Sequence, residues 1–263
     1  MSKKSSRASQ KAQVTAAQQR LAELKAEQAR KETRHKVLLF GTTAVLVLGV
    51  TGSVGFVLAN HKSKADVTQA TPDTIDDTSG VDGVKAWKTE PSGQTGTAGA
   101  IQATHIGSSS VKYFTYPPVG GPHDPTWLTC GEYDKTPRWE NAVHDMEHGA
   151  VIITYKPDLA ADQIQRLKDF VKNAPTAVAT VTDPSSGKSQ SADTKLKYLD
   201  LFPYSGQTSP IVLSAWGHQL DVPDASDSRI QKFVDAFRVK QGITPEIGAS
   251  CAGGTGTPVA GTT

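Results

Sequence analysis

The sequence lacks the motifs that identify several large enzyme classes. It contains no Gly-x-Ser-x-Gly nucleophile elbow, no glycine loop that could cradle a phosphate and no dinucleotide-binding fingerprint. Asp221, Asp224 and Asp227 do not follow the Asp-x-Asp-x-Asp-Gly spacing of a calcium loop. Serine hydrolases, nucleotide-dependent enzymes, dehydrogenases and calcium-loop proteins therefore receive no support from the sequence.

Cysteine is scarce, since the 263 residues include only Cys130 and Cys251. Two thiols are too few for a metal site built from cysteine alone. Because both follow the apolar segment described next, we expect them in an oxidising compartment, paired in one disulfide. The long loop that this bond closes allows up to about 5 kcal/mol of stabilisation. A catalytic thiol is the alternative.

Charge is absent from Val37 to Ala59, a run of 23 residues. As a helix this run is roughly 35 Å long and can cross a hydrocarbon core of about 30 Å. Residues 1–36 carry ten Lys and Arg against three Asp and Glu. The positive-inside rule then predicts a single-pass protein of the cell membrane, with residues 1–36 in the cytoplasm and the C-terminal part extracytoplasmic. A cleaved signal peptide is the alternative, although the basic lead is long for one.

The basic arm lacks glycine and proline from residue 8 to residue 36, which favours a helix. It also lacks aromatic residues between its charges, so nucleic-acid binding is not supported. Its positive charge suits the anionic inner leaflet, and the lipid bilayer is the partner that we expect for it.

The composition of the remaining chain predicts an extracytoplasmic linker (60–100), a globular domain (101–252) and a disordered tail (253–263). Within the domain, hydrophobic patterns predict about three helices and an α+β fold with a mixed or antiparallel sheet. The helices are expected over 137–148, after Asp158 and up to about Gly242. The strands are expected at 111–116, 150–155, 196–202 and 211–220.

A histidine cluster lies in the first of these helices, in the segment His144-Asp145-Met146-Glu147-His148. Helical spacing puts His144 and His148 one turn apart, so that both can face one metal ion. Trp139, Val143 and Met146 form a separate core stripe on the helical wheel.

His123 lies in the Pro/Gly-rich loop before this helix and is a candidate third ligand, with His105 or Glu147 as the fourth. Such a set suits zinc or copper. Two alternatives stay open. The histidines could be structural, in a non-enzymatic domain that binds a partner protein in the cell envelope. His-x-x-Glu-His is also the inverted zinc-peptidase pattern, although Gly149 ends the helix too early for that enzyme class.

Four segments together resemble the bacterial domain of unknown function 3105 family. They are YPPVGGPH, W-x-x-CGEYD from Trp127 to Asp134, ENAVHDMEHGAVIITYKPDL from Glu140 to Leu159, and SPIVLSAWG from Ser209 to Gly217. The resemblance covers most of His105 to Cys251 and implies a single-pass envelope protein with an outer domain, without supplying a reaction. The residues that match the motifs are His123, Cys130, His144, Glu147, His148 and Trp216.

Overall fold

A computed structural model describes residues 66–91, 94–183 and 185–262. The predicted cytoplasmic arm and the predicted membrane span, residues 1–36 and 37–59, lie outside these ranges. Within them, no helix has both the length and the apolar character needed to cross a membrane.

Most of the strands belong to one mixed sheet. In chain order the described strands are β1 (Val67–Thr68), β2 (Thr74–Ile75), β3 (Lys85–Trp87), β4 (Val111–Lys112), β5 (Gly131–Glu132), β6 (Val151–Tyr155), β7 (Val178–Thr182), β8 (Ser189–Asp193), β9 (Leu199–Pro203), β10 (Ile211–Ala215) and β11 (His218–Val222). Seven of them form the sheet in the order β2-β3-β11-β10-β6-β9-β5. The pairs β5–β9 and β6–β9 are parallel, and the other pairs in this sheet are antiparallel.

Three helices accompany the strands in the described part of the chain. They are α1 (Trp139–His148), α2 (Ala161–Asn173) and α3 (Arg229–Phe237). The predicted α+β fold with about three helices and a mixed sheet is confirmed. The helix expected to end near Gly242 ends earlier, because the segment after Phe237 turns back and its Val239 amide donates to the Gly149 carbonyl.

The sheet carries a separate hydrophobic layer on each face. Because side chains alternate along a strand, Ile153 of β6 packs on one face and Ile152 on the other. The first face is covered by α2 and α3, and the second by α1 through Val143 and Met146. The predicted core stripe of α1 is therefore confirmed for these two residues.

The predicted strand 211–220 is a tight hairpin, with β10 and β11 on either side of Trp216 and Gly217. Gly217 has a φ of 72°, and a Cβ there would lie 2.5 Å from the Thr89 side chain. The sequence pattern does not indicate this turn, because the turn residue Trp216 is buried and continues the apolar run.

Parts of the predicted linker and of the predicted tail contribute to the fold. Residues 66–91 and 94–100, within the predicted linker, include β1 to β3, and β2 and β3 extend the main sheet. Residues 253–262, within the predicted tail, run beside β5, where the Val259 amide donates to the Glu132 carbonyl. Polar composition did not predict this contribution. Backbone hydrogen bonds hold both segments, and in the first of them Val81 and Ala86 are also buried in the core.

Candidate metal centre

Helix α1 brings the predicted ligands to the interior and then ends abruptly. Gly149 adopts the left-handed conformation, with φ 109°, and its amide donates to the Met146 carbonyl. A Cβ at this position would lie 2.8 Å from the Val239 backbone, so the close approach also requires glycine. Every residue of α1 after Trp139 is buried. His144, Glu147 and His148 are therefore enclosed by the protein and do not form a solvated face.

Three histidines surround the Glu147 carboxylate. The Oε2 atom of Glu147 lies 2.9 Å from Nε2 of His123, 3.6 Å from Nε2 of His105 and 3.7 Å from Nε2 of His144. One donor atom from each of these four residues lies within 4.8 Å of all the others. Donor atoms at these separations can converge on a single ion.

Backbone carbonyls fix the tautomers of the buried histidines. His123 Nδ1 lies 2.8 Å from the Gly121 carbonyl oxygen, and His144 Nδ1 lies 2.7 Å from that of Asp124. A carbonyl oxygen can only accept, so each Nδ1 carries a hydrogen. The lone pair of each neutral ring is then on Nε2, the atom that faces Glu147. Hydrogen bonds of this kind orient the histidine ligands of metal sites.

His105 closes the group from a separate segment. It forms a parallel bridge with His123, and its ring stacks on the His144 ring with the centroids 5.0 Å apart. Its side chain is 47% exposed, whereas that of His123 is fully buried. The group is thus closed on the helix side and reachable through His105.

In this buried group the pKa values of His144 and Glu147 both lie below their usual values. Burial lowers the pKa of His144, and the Asp124 carbonyl only partly opposes this. Burial raises the pKa of Glu147, but the hydrogen bond and charge of His123 outweigh it and leave that pKa below its usual value. Glu147 is therefore a buried carboxylate. With Nδ1 of His123 already protonated, the contact between His123 and Glu147 needs one further proton, which a metal cation can replace.

His148 faces a second group. Its Nδ1 donates to the Ser250 carbonyl at 2.8 Å, and its Nε2 lies 3.6 Å from Glu246 Oε2. Burial lowers its pKa, with the neighbouring His144 as the next cause. His144, Glu147, His148 and Glu246 form a set with donor atoms within 4.8 Å of one another. His123 and His148 share no such set in the described chain, so the four residues selected from the sequence are divided between two overlapping groups.

The opposite side of α1 carries a second polar cluster. Asp145 of α1 and Asp200 of β9 are both completely buried, and each has one carboxylate oxygen without a hydrogen-bond partner among the described residues. Burial raises the pKa of Asp200 to about 7, and burial together with the neighbouring Asp200 raises the pKa of Asp145 well above its usual value. Cys130 and Cys251 form a disulfide, with Cα atoms 5.4 Å apart, and Cys130 Sγ lies 3.8 Å from Asp145.

Comparison with known families decides the relationship suggested by the sequence motifs. The profile of the family described as protein of unknown function (DUF3105) matches residues 105–253. The chain belongs to this family. The DUF3105 range contains all the histidines and carboxylates of the two groups and both cysteines. Comparisons with curated proteins and with solved structures found no match.

The sequence patterns did not predict two residues of the polar clusters in this DUF3105 domain, Glu246 and Asp200. Glu246 follows the last helix in a segment without a metal-binding motif, and only the fold brings it to His148. Asp200 lies in the apolar stretch YLDLFP, where a single charged residue in a buried strand was the available signal. Glu140 of the same helix accepts a hydrogen bond from the Val111 amide and pairs with Arg138, so its carboxylate belongs to neither group.

Proposed function

We propose that this domain binds a divalent transition metal, zinc or copper, through His105, His123, His144 and Glu147. Three imidazoles and one carboxylate form a four-ligand set of the kind that both metals accept. The carrying observation is the orientation of the buried rings. His123 and His144 each donate Nδ1–H to a carbonyl and direct Nε2 at the same buried carboxylate.

A purely structural role explains this arrangement less well. In this group three Nε2 atoms converge on one carboxylate oxygen, an arrangement that a structural role for the rings does not require. A buried carboxylate is costly unless a cation accompanies it. A metal ion provides that cation.

The geometry favours a ligand role for Glu147 over that of a general base. In the inverted zinc-peptidase pattern the two helix histidines hold the ion and the glutamate activates water. In this chain Glu147 Oε2 contacts His105, His123 and His144, while His148 turns towards Glu246. We therefore propose metal binding and not peptide hydrolysis.

We also propose that the domain acts outside the cytoplasm, anchored to the cell membrane by residues 37–59. The uncharged run and the basic residues before it support this topology. The pairing of both cysteines supports an oxidising compartment. In that compartment the domain meets metal ions and envelope proteins, and the latter are the partners under the alternative interaction function.

Metal analysis of the full-length chain tests the proposal. The protein is stripped with chelator, incubated with Zn²⁺ or Cu²⁺, freed of excess ions and subjected to elemental analysis. We expect at least one equivalent to be retained. His144→Ala is expected to lower the affinity by about 100-fold or more, since even partners outside the ligand sphere cost 10- to 100-fold.

His218→Ala is the matched control. His218 is also buried and also donates Nδ1–H to a carbonyl, that of Trp216, but its ring stacks on Phe237. This variant should lose stability and keep the metal. If the wild-type chain retains no metal, or if both variants retain it equally, the histidine cluster is not a metal site.

A further inference from the structure

The two donor groups share His144 and Glu147, and the lone pairs of these two residues decide how many ions each can bind. The first consists of His105, His123, His144 and Glu147, and the second of His144, Glu147, His148 and Glu246. His144 can serve one ion only, because its Nδ1 is occupied by the Asp124 carbonyl. Glu147 has two oxygens and can serve two ions.

This division leaves His148 with a free lone pair at a buried position. The His148 side chain is 5% exposed, and its Nδ1 donates to Ser250, so Nε2 is the available donor. It faces Glu246 and lies next to the His144 ring, with centroids 4.5 Å apart. The first group does not use this nitrogen.

Backbone contacts hold Glu246 in place opposite His148. The Glu246 amide donates to the Glu147 carbonyl at 2.9 Å, and the Glu246 carbonyl accepts from the Ala249 amide. The Cys130–Cys251 disulfide fixes the end of the same segment. Glu246 is thus a half-exposed carboxylate on a tethered backbone, which allows its side chain to move onto an ion.

We propose that His148 and Glu246 hold a second divalent metal ion beside the first, with the Glu147 carboxylate bridging the two. This inference rests on the proposed function of the first group. Bridged ions in two-metal sites lie about 3.5–4 Å apart, which suits donor groups that share one carboxylate. The second position has one imidazole and two carboxylates. Its ligand atoms are therefore harder than those of the first position, and it should bind its ion more weakly and exchange it more readily.

A cavity gives this second position access to solvent. It measures about 270 Å³, and its lining includes Glu147, Glu246, Trp216 and Glu90. The carboxylates of Glu147 and Glu246 give the cavity a negative wall that attracts cations. The cavity also leaves room for water on the second ion.

Stoichiometry in the full-length chain tests the second position. Zn²⁺ is titrated against a competing chromophoric chelator, and bound zinc is counted by elemental analysis. We expect two equivalents in the wild-type chain, with dissociation constants differing by about tenfold or more. Glu246→Gln, which keeps size and removes charge, should retain the tight ion and lose the weak one. His148→Gln should do the same.

Glu90→Gln is the control, because Glu90 lines the cavity but belongs to neither donor group. It should retain both ions. Two bound Cu²⁺ ions should also show magnetic coupling in electron paramagnetic resonance, as adjacent ions do.

Three results would overturn the second site. One is a single zinc equivalent in the wild-type chain that Glu246→Gln does not alter. Another is a second equivalent that survives in both Glu246→Gln and His148→Gln. The third is a pair of copper ions without coupling. The absence of any bound zinc would instead overturn the proposed function itself, so the two failures are distinguishable.

Discussion

Helix α1 contributes to two buried polar clusters that differ in how their buried charge is neutralised. On one side, His105, His123 and His144 surround the carboxylate of Glu147. On the other, Asp145 and Asp200 lie together beside the disulfide. Both clusters remove ionisable groups from water, which is costly unless their charge is neutralised.

The carboxyl pair is neutralised by protons, whereas the histidine cluster presents a set of donor atoms that could hold a metal ion. Burial raises the pKa values of Asp145 and Asp200, so the pair holds a proton near neutral pH. Burial lowers the pKa values of His144 and His148, so their rings offer lone pairs instead. Burial alone therefore does not mark a ligand site. A ligand site is marked by free lone pairs that point towards a common centre.

The disulfide contributes to both clusters, so its removal is expected to have the largest effect on stability. Cys130 lies beside Asp145, and Cys251 follows Ser250, whose carbonyl orients His148. Replacing both cysteines with serine should lower the unfolding free energy by about 4 kcal/mol, because the bond closes a long loop. Chemical denaturation measures this loss. A loss below about 1 kcal/mol would show that the segment is held without the bond.

Metal addition should distinguish the two clusters almost as strongly. Zinc at about 1,000 times its dissociation constant should raise the unfolding free energy of the wild-type chain by about 4 kcal/mol. His123→Ala should abolish this gain, whereas Asp200→Asn should keep it. Denaturation with zinc and with chelator measures the difference. An equal zinc effect in the two variants would contradict the assignment of the clusters.

The pH dependence of stability should have opposite signs in the two clusters of the metal-free chain. Asp145 and Asp200 have raised pKa values, so the folded state binds more protons, and their stabilisation is lost as pH rises from about 4 to about 7. His144 and His148 have lowered pKa values, so their contribution is present above about pH 6.5 and is lost as pH falls below it.

Variants of each cluster separate these two slopes. The advantage of the wild-type chain over an Asp145→Asn, Asp200→Asn variant should shrink as pH rises from about 4 to about 7, by about 1 kcal/mol per pH unit. Its advantage over a His144→Ala, His148→Ala variant should grow as pH rises through the same range. Unfolding titrations in chelator measure both differences. Slopes of the same sign would refute the contrast.

Trp127 should have the smallest effect, because it supports the histidine cluster from outside. Its ring packs against His144 and His148, and its Nε1 donates to the Ala252 carbonyl at 3.1 Å. Trp127→Phe keeps an aromatic ring and loses the hydrogen bond, so about 1 kcal/mol of stability should be lost. Thermal unfolding of the metal-free chain checks this value. An unchanged melting temperature would show that the hydrogen bond contributes nothing.

The sequence was informative where the pattern was local. The spacing of His144, Glu147 and His148 and the glycine at 149 predict a helix that carries these residues and then stops, and the structure has it at Trp139–His148. The pairing of Cys130 with Cys251 followed from their number, and the structure contains it. Each of these inferences needs only neighbouring residues or elimination.

The sequence was uninformative where distant backbone segments meet. Helical spacing places His144 and His148 on one face, but the fold gives them different neighbours, His123 for the first and Glu246 for the second. The Asp145–Asp200 pair depends on a residue of α1 lying next to a residue of β9, which neither segment predicts alone. Residues 66–91 and 253–262 are ordered by backbone pairing that their polar composition does not indicate.

X-ray absorption at the zinc edge of the loaded full-length chain tests the central claim most directly. We expect a first shell of nitrogen and oxygen only, at about 2.0–2.1 Å, with the outer-shell scattering of several imidazole rings. This scattering should weaken in His144→Ala and remain in His218→Ala. A shell of water oxygens without imidazole scattering, or identical spectra for the two variants, would contradict a metal centre built on the histidines around Glu147.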